Sequence, residues 1–278
     1  MKRSILIPTD FSDNAWRALA YALKLYTKEE CTFYFLNSFY FSSSQSRTFI
    51  TTHFIQILKD SSVRDLKELK AKAEKENTNA GHTFEIIASG DELLYAIANS
   101  IKKYTIDMVV MGTKGATGVN KFFFGSNTVK TVQNIKGCPV LAVPGTTEFR
   151  IPKQIAFPTD FNRPYDTKML QPLQNFAALY DAHINILHIN VEENLSNEQN
   201  KNMVILKEHL RENKHSFHWM PAYNKKSAVI NDFIADLNID ILAMFNYKHS
   251  IIENITKEPI IKNIGYQPTI PFLIIPSE

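Results

Sequence analysis

Short of cysteine, of long apolar runs and of single-sign charge, the chain excludes several classes of protein before any motif is read. It has two cysteines in 278 residues, Cys31 and Cys138. Two thiols outside any CxxC pair make no disulfide framework, and they read as buried free thiols in a reducing compartment. No apolar run approaches a membrane span. The strand-like Ile5-Leu6-Ile7 that follows Met1-Lys2-Arg3-Ser4 is too short for a signal segment, so the expected location is cytoplasmic, with no membrane partner. Basic residues number 31 and acidic ones 28, a net charge of +3. Lys67, Lys70, Lys72 and Lys75 alternate with Glu68, Glu74 and Glu76, the pattern of a solvated helix face rather than of a nucleic-acid stripe. Walker A, G-x-G-x-x-G and G-x-S-x-G patterns are all absent. Glycine is missing altogether between Gly145 and Gly265.

What is present is a repeat. Ile5-Leu6-Ile7-Pro8-Thr9-Asp10-Phe11-Ser12 returns as Ile155-Ala156-Phe157-Pro158-Thr159-Asp160-Phe161-Asn162. Ile106-Asp107-Met108-Val109-Val110-Met111 returns as Ile239-Asp240-Ile241-Leu242-Ala243-Met244. Cys138-Pro139-Val140-Leu141-Ala142-Val143-Pro144 returns as Ile270-Pro271-Phe272-Leu273-Ile274-Ile275-Pro276. Three matched segments in one order define two tandem domains, 1–146 and 147–278, with the boundary near Gly145-Thr146-Thr147-Glu148.

Short apolar runs predict strands near 4–8, 31–38, 83–88, 106–111 and 139–143, then near 153–158, 184–190, 215–220, 239–245 and 270–275. Helical periodicity fills the gaps. One helix starts at Ser12, an N-cap, and carries Ala15, Leu19, Ala22, Leu23 and Tyr26 on one face. Others cover 52–78, the stretch after Gly90-Asp91, and the stretch after Ser126. Pro172 is expected to kink or restart the first helix of the second half. Strands alternating with crossover helices predict an α/β fold: two doubly wound, Rossmann-like, five-stranded parallel-sheet domains in tandem, related by a pseudo-two-fold. Ligands of such sheets bind beyond the carboxyl ends of the strands.

At the end of the fourth strand comes Met111-Gly112-Thr113-Lys114-Gly115-Ala116-Thr117-Gly118-Val119-Asn120-Lys121-Phe122-Phe123-Phe124-Gly125-Ser126. Glycines at 112, 115 and 125 let backbone come close to a ligand. Loop amides form an anion-binding concavity, and Ser126 opens a helix whose N-terminus favours negative charge. A tight connection with no ligand explains the same glycines equally well.

The spacing Gly112-x2-Gly115-x9-Gly125-Ser126 resembles the nucleotide loop of universal stress proteins, G-x2-G-x9-G-[ST]. The opening strand and turn, the fourth strand and the fifth strand resemble that family as well, and the likeness covers both halves. The resemblance implies an ATP-binding regulatory stress-response protein, one nucleotide per chain, with Mg2+ as an accompanying ion. It implies that Asp10 sits by the adenosine, with Thr9 before it, and that Gly112, preceded by Met111, lies near the ribose. Gly115, Gly125 and Ser126 would surround the triphosphate, with Asn127 and Thr128 on the following turn. Ser38 would border the adenine, although the family's usual His-Val pair is here Asn37-Ser38. Fifth strands of two domains commonly pair in this family, which implies an internal pseudo-dimer of strands 139–143 and 270–275, and leaves a homodimer open.

The second half reads as a failed copy. Phe245 stands where Gly112 does, and with no glycine available the expectation is that Phe245 and Tyr247 fill the space and no ATP binds there. His183 and His188 alternate to opposite faces of one strand, as do His215 and His218, which argues against a shared metal. Asp160 repeats Asp10 in the half without the loop, so at least one of the pair is a turn residue. Phe122-Phe123-Phe124 could cap the pocket, pack on the sheet or form a partner surface, with at least one ring expected to be exposed, and Lys114 and Lys121 are ordinary loop lysines. No catalytic residue is assigned: the site reads as binding, not catalysis, with an unknown protein partner. The alternatives are slow ATP hydrolysis or phosphoryl transfer, with Asp10 serving the metal and Ser126 accepting phosphate, and a scaffold that needs no nucleotide.

Overall fold

The structure is a computed structural model that describes residues 2–41, 51–113, 125–190, 194–221, 226–246 and 270–276. These fall into two compact units that meet in sequence between Gly145 and Thr146. The first contains β1 (Arg3–Pro8), α1 (Asp13–Leu25), β2 (Cys31–Ser38), α2 (Thr52–Glu76), β3 (Thr83–Ser89), α3 (Leu93–Tyr104), β4 (Met108–Gly112), α4 (Ser126–Asn134) and β5 (Val140–Val143). The second contains β6 (Gln154–Pro158), α5 (Thr167–Ala178), β7 (His183–Asn190), α6 (Asn197–His209), β8 (His215–Pro221), α7 (Lys226–Asp236), β9 (Ile241–Asn246) and β10 (Phe272–Pro276).

The first unit orders its strands β3-β2-β1-β4-β5 and the second β8-β7-β6-β9-β10, with parallel pairing along each series. Both are doubly wound sheets whose order reverses beside the first strand, at β1/β4 and at β6/β9. That switch point is where a ligand crevice opens. Central strands are buried on both faces: Ile5, Leu6, Phe35, Leu36, Val109 and Val110 in one unit, Ile155, Ala156, Ile186, Leu187, Ile241 and Leu242 in the other. Lys72 of α2 lies over the Trp16 ring of α1 at 3.6 Å, so these two helices share a face. The remaining two, α3 and α4, touch each other.

Strand starts differ from the sequence expectation in one consistent way. β4 and β9 begin two residues after Ile106 and Ile239, at Met108 and Ile241. The intervening aspartates clamp the neighbouring strand instead of extending their own. The Asp107 carboxylate accepts from Ser4 N at 2.7 Å, and the Asp240 carboxylate accepts from Lys153 N at 2.8 Å and Gln154 N at 2.9 Å. Just before each clamp a non-glycine residue takes the left-handed region, Thr105 (φ 50°) and Asn238 (φ 48°).

Pro172 neither breaks nor restarts α5, which runs continuously from Thr167 to Ala178 with the proline inside it. Its ring removes one donor from the helix ladder, and buried Leu170, Leu173, Phe176 and Ala177 hold the helix on the sheet. The larger surprise is where α5 starts. By the 150-residue repeat, Thr167 matches Arg17, so the second unit lacks the first turn that α1 begins at Asp13. Pro164 matches Asn14, and a proline there drives Arg163 out of helical geometry. Asp166 then caps the shortened helix by accepting from Met169 N at 2.8 Å.

Candidate functional site

Both units end their first strand in Pro-Thr-Asp-Phe, and the turn is built alike. The Thr9 hydroxyl accepts from Phe11 N at 3.0 Å, as Thr159 does from Phe161 N at 3.1 Å. The Asp10 carboxylate accepts from Ser12 N at 3.1 Å and from the Ser12 hydroxyl at 2.6 Å; the Asp160 carboxylate accepts from Asn162 N at 3.0 Å. These bonds hold Phe11 (φ 63°) and Phe161 (φ 55°) in the left-handed region, a placement that costs a phenylalanine on the order of 1–3 kcal/mol. Both aspartates are therefore turn residues in this structure. Asp10 remains exposed at the strand end.

Asn37 explains its own departure from the resemblance. Its amide donates to Thr9 O at 2.8 Å, and its carbonyl accepts from the buried Ser62 hydroxyl of α2 at 2.8 Å. Strand register matches Asn37 to His188, since Pro8 pairs with Leu36 and Pro158 with Leu187. The His188 ring Nδ1 lies 3.0 Å from Thr159 O, so each residue ties the turn to the second strand. The His-plus-β-branched pair missing at Asn37-Ser38 thus stands in the second unit as His188-Ile189. Ser38 turns its hydroxyl to Asp91 O at 2.6 Å.

Gly112 ends β4 hard against α1. A Cβ placed there would lie 2.7 Å from Asn14 O and 2.8 Å from Asn14 Nδ2. Backbone cannot yield as a side-chain tip can, so the glycine is required by helix packing whatever the ligand. Thr128, in the first turn of α4 and buried, donates its hydroxyl to Gly112 O at 2.8 Å. That bond brings the N-terminus of α4 to the end of β4. Ser126 and Asn127 are exposed there. Met111, one residue before the glycine, is buried.

The start of α4 is open. α1, α2, α5 and α6 are capped by the side chains of Ser12, Thr51, Asp166 and Ser196. α4 starts after Gly125, with no side-chain cap and no acid in its first turn. Its first amides are left for solvent or an anion. Beside it, Asn14 Oδ1 and Thr113 Oγ1 are buried with no hydrogen-bond partner among the described residues. Gly115, Lys114, Lys121 and Phe122-Phe123-Phe124 lie outside the described residues.

In the second unit the corresponding space is filled by rings. Phe245 pairs in register where Gly112 does and is buried. It meets Phe157 edge-on at 5.3 Å and Tyr165 at 6.4 Å, and the Tyr165 hydroxyl bonds that of Thr159. Phe161 is fully buried at 0% exposure, whereas Phe11 is 37% exposed. Phe161 stacks on His188 at 5.0 Å and leans toward Trp219 at 6.1 Å. Tyr247 lies outside the described residues.

One constellation was invisible in single-strand alternation. β7 and β8 bring His183, Ser216 and His218 together on one face. The Ser216 hydroxyl lies 2.8 Å from His183 Nε2 and 2.7 Å from His218 Nε2, and Asn185 Oδ1 lies 3.1 Å from His218 Nε2. Burial holds both imidazoles below the usual histidine range, and for His183 the nearby His215, His218 and Lys214 add to the effect. At the opposite extreme, burial pushes the Cys31 and Cys138 thiols up to about 12, which makes them inert packing groups.

The features so far define a tandem pair of doubly wound α/β units, one with an open helix N-terminus at its switch point and one with a buried Phe245 where the first has Gly112. The universal stress protein family model matches residues 1–144, and the chain belongs to that family. Universal stress protein YxiE of Bacillus subtilis (strain 168) is 24% identical over 148 residues, 51% of this chain and 99% of that protein. Over the whole length, the chain is similar in fold to a universal stress protein from Archaeoglobus fulgidus DSM 4304, with TM-score 0.70, 16% identity and 98% of each chain covered. It is also similar to a putative universal stress protein from Pseudomonas aeruginosa UCBPP-PA14, with TM-score 0.57 and 11% identity, covering 99% of this chain and 93% of that one. No helix among the described residues is long and apolar enough to cross a membrane.

Proposed function

We propose that the first unit binds one adenine nucleotide, ATP with its Mg2+, at the carboxyl ends of β1, β2 and β4, and that a protein partner reads the bound state. The observation that carries this reading is the Thr128–Gly112 bond, which sets the uncapped N-terminus of α4 at the switch point. Free amides and the helix dipole there favour a phosphate group. Gly115, Gly125, Ser126 and Asn127 would cradle the phosphates, and Asp10 and Ser38 would border the nucleoside. The unpartnered Asn14 Oδ1 suits a hydroxyl donor of the ligand. The Mg2+ would be carried chiefly by the phosphates, since no set of three or more His, Cys, Asp or Glu gathers among the described residues.

The role we assign is binding rather than turnover. Asp10, the one acid among the residues assigned to the site, is held by Ser12, and among the described residues no base is hydrogen-bonded to it to activate a nucleophile. Phe11, Tyr40, Phe41, Phe54, Ile55 and Ile57 are exposed near the same strand ends and offer an apolar surface to a partner. The second unit would take no nucleotide, because Phe245 and its neighbours occupy the place. Equilibrium dialysis with labelled ATP tests the reading. One site per chain is expected, weakened at least tenfold by Gly115→Val or Gly125→Val. Unchanged binding in both variants would refute the phosphate assignment.

A further inference from the structure

Two imidazoles converge on one point at the edge of the second sheet. β7 contributes His183 and Asn185, and β8, the edge strand, contributes Ser216 and His218. Both histidines aim Nε2 at the Ser216 oxygen, at 2.8 Å and 2.7 Å. A hydroxyl carries one hydrogen, so it can donate to only one of them. Asn185 is buried and anchored, donating to Gln154 Oε1 at 2.9 Å, which fixes its own oxygen 3.1 Å from His218 Nε2. Phe233 of α7 meets the His218 ring edge-on at 5.2 Å and steadies it.

We propose that His183 and His218 bind a divalent ion of the borderline class, Zn2+, Cu2+ or Ni2+, with the Ser216 hydroxyl and the Asn185 amide oxygen as its oxygen partners. Imidazole nitrogen suits these ions, and two nitrogens facing one oxygen lie at the spacing that a small side-chain rotation turns into bonds of about 2.0–2.1 Å. Neutral imidazole is the form that ligates, and burial disfavours the protonated form of both rings. His183, Ser216 and His218 are half-buried, so an ion can reach them from solvent. The nearby Lys214 charge is countered by its ion pair with Asp181. Two imidazoles do not close a coordination sphere, and water fills the remaining positions. The site has no counterpart in the first unit: register places Thr32, Tyr34, Glu85 and Ile87 where His183, Asn185, Ser216 and His218 stand.

The full chain, stripped of metal with a chelator, is titrated with Cu2+ and read by electron paramagnetic resonance, then with Zn2+ and read by thermal unfolding. One ion per chain is expected, with the hyperfine pattern of two imidazole nitrogens. His183→Gln and His218→Gln should each weaken binding at least tenfold and abolish the Zn2+-dependent rise in Tm. Ser216→Ala keeps both nitrogens and should keep the two-nitrogen pattern, which separates loss of a ligand from disturbance of the edge strand. His209→Gln, outside the cluster, should change nothing. Binding of equal strength in both histidine variants, or an ion held by a single imidazole nitrogen, overturns the proposal.

Discussion

The two units are the same fold with opposite solutions at one place. In the first, Gly112 lets the opening turn of α1 press against the end of β4. In the second, Phe245 takes that position, Pro164 removes the helix turn that would collide with it, and Tyr165 enters the vacated volume. The changes belong together, because neither a phenylalanine beside an intact α1 nor a glycine beside an unwound α5 would pack. The difference between the units is more than a matter of glycines. Phe157 and Tyr165 pack with Phe245, and Phe161, His188 and Trp219 form a second cluster of rings in the same unit.

The strongest way to break the comparison is to remove the ring that defines the second solution. Phe245→Ala should destabilise the second unit by about 3–5 kcal/mol, the usual cost of truncating a buried phenylalanine. It should not create nucleotide binding, because the turn of α5 stays absent. Urea unfolding followed by Trp219 fluorescence measures the first effect and dialysis with ATP the second. The reciprocal change is Gly112→Ala. The added methyl meets backbone at 2.7 Å, so a loss of about 1–3 kcal/mol is expected from overpacking. If Gly112→Ala unfolds like the wild type yet loses ATP, the glycine serves the ligand and not α1.

How much of this could be read beforehand follows from what each feature depends on. All ten strands were legible, since parallel strands are written as local apolar runs, and the repeat matched the segments of one half to those of the other. Ser12 as a cap was legible for the same reason: its partner, Ala15 N, is three residues away. Features that need two distant elements were not. The reason for Gly112 lies in Asn14, nearly a hundred positions earlier. The role of Asn37 lies in Thr9 and Ser62. The pairing of His183 with His218 depends on the register of β7 against β8, which no alternation within one strand discloses. The late start of α5 follows from Pro164, which keeps Arg163 out of helical geometry, whereas Pro172 sits inside a helix that its buried face holds together. At the proposed nucleotide site the turn and the helix start were visible as types, while their mutual placement came only with the Thr128–Gly112 bond.

A smaller test exchanges the residues that hold the turn. Asn37→His copies His188 into the first unit. The ring can still donate to Thr9 O, but the buried Ser62 hydroxyl loses its acceptor, at a cost of about 1–3 kcal/mol. The double variant Asn37→His/Ser62→Ala should regain most of that loss, since no buried group is then left unpaired. A double-mutant cycle by urea unfolding reads the coupling, and additive losses would show that Ser62 does not depend on Asn37.

The smallest expected effect concerns acid. His82 of the first unit is buried, with Nδ1 2.6 Å from Asn77 Oδ1 and Nε2 3.1 Å from Tyr26 O, and its ring packs edge-on against Phe33 at 4.9 Å. Register matches it to Asn213, which cannot titrate. Burial lowers the proton affinity of His82 despite the backbone acceptors that oppose it. The unfolded chain, with an ordinary histidine value of about 6.5, therefore takes up the proton first. The stability His82 contributes is fully present above about pH 6.5 and is lost as pH falls from there through its lower folded value. Unfolding curves at pH 7.5 and 5.5 should show wild type losing more stability on acidification than His82→Asn, with the difference confined to the first unit. Equal losses would mean that the imidazole keeps its ordinary proton affinity inside the fold, held there by the two acceptors that flank it.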